Sequence, residues 1–122
     1  MSENRLKVAV IGAGMIANAG HIPAWKNCAD DAEVVAVFNR SMERAQQTAV
    51  RHGIPHAYDD CAKMLAEVQP DIVCVCTPNV SHKEYALAAL DAGAHVFCEK
   101  PIAAGYAEAV EMFERAEERG RI

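Results

Sequence analysis

Gly12 and Gly14 stand one residue apart at the end of the apolar run Leu6 to Ile11, and Ala17 follows three residues after the second glycine. The first glycine permits a tight turn, the second lets a diphosphate approach the backbone, and a small third residue lets strand and helix pack closely. Free N–H groups at the start of a helix, together with the positive end of its dipole, favour a bound anion. The segment Gly12, Ala13, Gly14, Met15, Ile16 is therefore a candidate phosphate cradle. Alone, G-x-G-x-x-A is a weak signal, because glycine pairs also close turns that hold no ligand.

Three further polar segments follow apolar runs in the same way: Asn39-Arg40-Ser41, Thr77-Pro78-Asn79 and Glu99-Lys100-Pro101. The five cysteines (Cys28, Cys61, Cys74, Cys76, Cys98) are odd in number and follow neither zinc spacing nor C-x-x-C. Cys74 and Cys76, two apart in a predicted strand, face one side of a sheet as small core residues. No metal ligands are assigned. Reduced thiols suit a cytoplasmic protein. His21 falls near the mouth of the first segment and reads as an ordinary surface or packing residue.

The elements that carry these segments alternate. Predicted strands are Leu6–Ile11, Glu33–Phe38, His56–Tyr58, Asp71–Thr77 and His95–Glu99; Glu33–Phe38 is a continuous apolar run that suits a sheet covered on both faces, and Asp71–Thr77 repeats that pattern. A first helix begins near Met15, is broken by Gly20 and Pro23, and resumes to Cys28. Ser41 caps a helix from Met42 to His52, which Gly53 ends. Asp59 caps a helix to Val68. Ser81 and Glu84 form a capping box for a helix to Ala92. The last helix, Tyr106 to Arg119, carries Ala109, Met112, Phe113 and Ala116 on one face, with a Glu111–Arg115 pair outside.

Five strand-helix alternations predict an α/β doubly wound, mostly parallel sheet with helices on both faces. Ligands bind such sheets beyond the carboxyl ends of the strands, where strand order reverses, and all four polar segments fall at strand carboxyl ends.

At 122 residues the chain makes one domain. Its 52% apolar and 24% charged content is that of a globular chain. A net charge of -5 with scattered Lys and Arg argues against nucleic acid as a partner. No apolar run approaches the roughly 18 residues of a membrane span. Arg5, Lys7, the run Val8 to Ile16 and Ala17-Asn18-Ala19 imitate a secretory signal, but removing them would take away the sheet's central strand.

The segments G-A-G-M-I-A (Gly12–Ala17), H-I-P-A (His21–Ala24), E-R-A (Glu43–Ala45), T-P-N-V-S-H (Thr77–His82) and A-G-A-H-V-F-C-E-K-P (Ala92–Pro101) together resemble the N-terminal half of the Gfo/Idh/MocA oxidoreductases. The resemblance covers nearly the whole chain, and Glu99-Lys100-Pro101 after a fifth strand is its most specific part. It implies a Rossmann fold, a bound nicotinamide dinucleotide, and hydride transfer to or from a sugar, polyol or similar hydroxylated substrate. It places Lys100 near the reacting carbon, where an ammonium favours developing negative charge on the substrate oxygen. Glu99 would orient its neighbours, and Pro101 would follow a cis peptide. His82 is expected either near the nicotinamide or projecting into solvent, and Asn79 serves the turn first and the ribose or diphosphate second.

Cofactor choice follows from the end of the second strand. An acidic side chain there would accept hydrogen bonds from the adenosine ribose 2'-OH and repel a phosphate. Here Arg40 can pair its fork with a 2'-phosphate and Ser41 can donate to it, which favours NADP. NAD remains the alternative, with Arg40 stacked on adenine and Asn39 on an unphosphorylated ribose. The family's second domain, which brings a substrate pocket and an acid/base residue, has no counterpart in these residues, so the chain reads as a cofactor domain without useful turnover of its own. Arg121 and Ile122 fall where a sixth strand would begin, and an exposed edge at the fifth strand could join two copies. A stand-alone NAD(P)-binding sensor is the rival reading, since fold does not fix function.

Overall fold

The apolar run becomes β1 (Leu6–Ile11), and from Val8 onward its residues are fully buried. In this computed structural model, which describes residues 4–122, β2 (Ala32–Phe38), β3 (His56–Tyr58), β4 (Ile72–Val75) and β5 (His95–Cys98) join it in one parallel sheet. The strand order is β3-β2-β1-β4-β5. The chain winds outward from β1 to β3, then returns to lay β4 on the other side of β1, so the order reverses between β1 and β4. That reversal opens a crevice at the carboxyl edge.

Alternating side chains feed two cores. Val8, Val10, Val37, Cys74 and Cys76 pack with Ala17 and Ile22 of the first helical segment and Ala49 of α2 (Met42–His52). Ala9, Ile11, Phe38, Val73 and Val75 pack on the opposite face against Met64 and Leu65 of α3 (Cys61–Val68) and Ala89 of α4 (His82–Asp91). The doubly wound expectation holds. The last helix, α5 (Tyr106–Arg119), lies on α4, tied by Lys83–Glu111 at 2.8 Å and Arg115–Asp91 at 2.7 Å.

Several local expectations are corrected. The first helix does not break at Gly20 and Pro23. Residues 15–26 are continuously helical, with a π-helical turn at Ala17–His21 leading into α1 (Ile22–Lys26). Pro23 has no N–H for the normal ladder, and the chain accommodates it by widening one turn, so that the Ile22 N–H reaches the Ala17 carbonyl five residues back. Asp60, one residue later than expected, caps α3 by accepting from the Lys63 N–H. Ser41 and Gly53 bound α2 as expected.

No capping box forms at Ser81. Its hydroxyl lies 2.8 Å from both Thr77 Oγ1 and the Pro78 carbonyl oxygen, held there by a 3-10 turn at Asn79–Ser81 that precedes α4. On α5 Met112 is buried but Phe113 is exposed, and Glu111 and Arg115 bond across to α4 rather than to each other. The β5 edge is partly met: the Val96 N–H donates to the Ile122 carbonyl at 2.9 Å, where the next strand was expected to start.

Candidate functional site

The four polar segments meet along one rim, linked by backbone hydrogen bonds from strand to strand. The Gly12 N–H donates to the Phe38 carbonyl at 2.8 Å, the Cys76 N–H to the Ile11 carbonyl at 2.8 Å, and the Glu99 N–H to the Val75 carbonyl at 2.9 Å. Gly12 and Lys100 therefore stand on the same edge of the sheet. The first helix starts at that rim, with the Asn18 N–H donating to the Gly14 carbonyl.

Gly12 adopts φ +107°, and a Cβ on it would lie 2.9 Å from the Cys76 carbonyl oxygen. The turn thus demands glycine twice over, for its conformation and for its contact with β4. Gly14 is different: it is exposed, and nothing lies within 4 Å of where its Cβ would be. Its missing side chain leaves backbone open to a ligand. Gly14 and Met15 line a recess of about 620 Å³ with Ala13, Asn18, Arg44 and Thr48. Ile16 is half exposed and turns instead into an apolar recess with His21, Trp25 and Phe97.

A second recess, of about 820 Å³, opens between the ends of β2 and β4. Asn39, Arg40, Ser41 and Arg44 line one part, and Thr77, Pro78, Val80, Glu84 and Tyr85 also contribute. Asn39 is already engaged. Its Oδ1 accepts the Ala13 N–H at 3.1 Å and its Nδ2 reaches the Ser41 carbonyl at 3.4 Å, so it braces the glycine turn against the end of β2. Arg40 is exposed. Arg44 lines both recesses, and sequence reading missed it; the available signal was Ser41, because a cap at that position sets Arg44 in the first turn of α2, one helical turn from Arg40.

His82 neither projects into solvent nor stays free for a ligand. It is 1% exposed, with Nε2 2.7 Å from the Thr77 carbonyl oxygen and Nδ1 2.8 Å from that of Pro101. The ring thus stands between the β4 and β5 loops, with a carbonyl facing each nitrogen and one N–H to donate when neutral. The Lys100–Pro101 peptide is cis. Glu99 Oε1 accepts the Lys100 N–H at 3.1 Å while Oε2 lies 2.5 Å from His21 Nε2. The hydrogen bonds from His21 and from the Lys100 backbone hold the Glu99 carboxyl below its ordinary range. Lys100 itself is exposed at the rim.

Beneath His21 lies a grouping that spacing in the sequence does not reveal. His21 Nδ1 is 3.2 Å from Cys74 Sγ, and Cys74 Sγ is 3.7 Å from Cys76 Sγ. The hydrogen bond from Cys76 and the nearby imidazole draw the Cys74 thiol down, against its burial, while Cys76 is pushed up. His21 is 53 residues from Cys74, so no short motif could announce the contact.

A doubly wound parallel sheet with an open glycine turn at its switch point and a cationic recess beside it defines a dinucleotide-binding domain. The model of the "Oxidoreductase family, NAD-binding Rossmann fold" matches residues 6–122. The chain belongs to the Gfo/Idh/MocA oxidoreductase family and is an NAD(P)-binding domain of it. It is 41% identical over 122 residues to the D-glucoside 3-dehydrogenase of Escherichia coli, covering all of this chain and 34% of that one. A 3-ketoreductase from Actinomadura kijaniata, in complex with TDP-benzene and NADP, superposes with TM-score 0.90 at 34% identity, covering 98% of this chain and 37% of that one. The WlbA dehydrogenase of Bordetella pertussis, in complex with NADH and UDP-GlcNAcA, gives TM-score 0.90 at 27% identity over 96% and 36%. The chain thus spans about a third of the length of these relatives. They are dehydrogenases and a ketoreductase, which does not favour a sensor without chemistry. Among the described residues no helix is long and apolar enough to cross a membrane.

Proposed function

We propose that this domain binds NADP in preference to NAD. The diphosphate lies over Gly12, Ala13, Gly14, Met15 and Ile16, and the 2'-phosphate lies between Arg40, Ser41 and Arg44. Carrying this reading is the recess at the end of β2, where two arginines and a hydroxyl stand and β2 is not followed by an acidic residue. Calorimetric titration with NADP and NAD, repeated on Arg40→Ala, tests it. NADP is expected to bind more tightly, and the variant to lose that difference. Equal affinities in the unaltered chain would overturn the preference.

The nicotinamide end then falls to Thr77, Pro78, Asn79, Glu99, Lys100 and Pro101, with His82 acting from behind by holding the two loops together. Lys100 is the catalytic residue of this proposal, its ammonium hydrogen-bonding the oxygen of a sugar, polyol or similar substrate as hydride leaves or arrives. The D-glucoside 3-dehydrogenase and the WlbA dehydrogenase in complex with UDP-GlcNAcA support that substrate class. In this proposal residues 1–122 bind the nucleotide and do not by themselves turn over a polyol; steady NADP-dependent oxidation of a polyol by them would refute this. In a form that does turn over, Lys100→Ala lowers kcat by about 10²–10³, a far larger effect than its effect on nucleotide affinity. Self-association along the β5 edge belongs to the same proposal, and a monomeric mass at high concentration in light scattering would exclude it.

A further inference from the structure

His21, Cys74 and Cys76 bring one nitrogen and two sulfurs within 4.8 Å of one another. Ligand atoms held about 2.0–2.3 Å from a zinc ion at tetrahedral angles lie roughly 3.4–3.8 Å apart. Two of the three separations, 3.2 Å and 3.7 Å, sit close to those edges, and the third, between His21 and Cys76, lies within 4.8 Å. The donors are also held from different directions. Cys74 and Cys76 rise from the same face of the sheet at the end of β4, and His21 descends from the π-helical turn above them. At the end of that turn the imidazole offers Nδ1 to Cys74 and Nε2 to Glu99.

The second observation lies behind the ring. A histidine that ligates a metal through one nitrogen usually donates its other N–H to a carboxylate, which fixes the tautomer and strengthens the ligand. Here Glu99 Oε2 stands 2.5 Å from Nε2, on the side of the ring away from the thiols. As a purely structural contact, the carboxylate would need no sulfur pair on the other side. A thiolate pair with an imidazole selects a thiophilic ion over magnesium or calcium.

We propose that His21 Nδ1, Cys74 Sγ and Cys76 Sγ form a zinc site, with Glu99 as the outer carboxylate and a water in the fourth position. Binding forms one Zn–N and two Zn–S bonds, and each thiol that enters the site protonated gives its proton to solvent. The entry route is the apolar recess lined by Ile16, Gly20, Trp25 and Phe97, which the His21 ring borders. This site lies under the Glu99–Lys100 loop, so an ion there fixes the loop from below.

The test is a titration of the reduced, metal-stripped 122-residue chain with cobalt(II), followed by zinc. One equivalent of cobalt is expected to give thiolate-to-cobalt absorption and the visible bands of a tetrahedral ion, and zinc is expected to remove both. Cys76→Ala and His21→Gln should each abolish the spectrum. Glu99→Gln should keep it and weaken affinity about 10- to 100-fold. A combined Cys28→Ser, Cys61→Ser and Cys98→Ser variant should bind as the unaltered chain does. Because Cys76 is buried, His21→Gln decides the matter if Cys76→Ala does not fold. No spectrum in the unaltered chain, an unchanged one in His21→Gln, or its loss in the triple variant would overturn the proposal.

Discussion

The α-carbon of Gly12 and the carbonyl of Cys76 are so close that a single methyl group on Gly12 would stand 2.9 Å from that oxygen. β1 and β4 are neighbours across the switch point, so this contact sets how wide the crevice is. Gly12→Ala is expected to destabilise the fold, by about 1–3 kcal/mol for the backbone conformation alone, with the clash added. Gly14→Ala meets open space and should leave the urea midpoint near that of the unaltered chain while weakening nucleotide binding. Paired urea unfolding and calorimetry on the two variants check the contrast.

His82→Ala removes the ring that faces two carbonyl groups, Thr77 and Pro101, and with it the N–H that one of them accepts. Each buried polar group left unpaired costs about 1–3 kcal/mol. Thermal unfolding should show the loss, and nucleotide affinity should fall with it because both loops proposed to flank the nicotinamide end are freed. An unchanged Tm would mean that water takes over both carbonyls.

Arg44→Ala should weaken NADP about tenfold or more and NAD much less, as a charge-assisted bond is worth about 1.5–3 kcal/mol. Arg44 is exposed and its backbone N–H, not its side chain, meets Ser41, so helix α2 should survive the change. Equal losses for the two nucleotides would place Arg44 at the diphosphate.

Acid should loosen the α4–α5 pair. Partial burial raises the Asp91 carboxyl, but hydrogen bonds from Arg115 and Arg119 outweigh it and hold the group below its ordinary value. A depressed carboxyl contributes stability that is present above its unfolded pKa of about 3.9 and lost as pH falls through the folded one. The stability difference between the unaltered chain and Asp91→Asn should therefore be constant from neutral pH down to about pH 5 and shrink below it. Urea midpoints measured from pH 7 to pH 3 would show it.

Much of this molecule was legible in the sequence because it rests on short-range physics. Continuous apolar runs marked β1, β2 and β4, since a central parallel strand is covered on both faces. Ser41 and Gly53 marked the ends of α2, because a hydroxyl can meet a free N–H three residues on and only glycine turns left-handed cheaply. The alternation of elements then placed four polar segments on one rim. Where local signals competed, sequence reading failed: Pro23 suggested a break that a widened helical turn absorbs, and the Ser81 hydroxyl turned back to Thr77 and Pro78 instead of capping α4.

Tertiary structure alone decided which side chains meet. Asn39 reaches the glycine turn across 26 residues, His82 reaches Pro101 across 19, and His21 joins Glu99 across 78 and Cys74 across 53. Such pairs leave no periodicity and no fixed spacing, because strand order and the pitch of one helix bring them together. By itself the sequence determined that four polar segments share one rim, through patterns only a few residues long. Only the folded sheet determined which polar groups on that rim are already engaged, and that a nitrogen and two sulfurs converge beneath it.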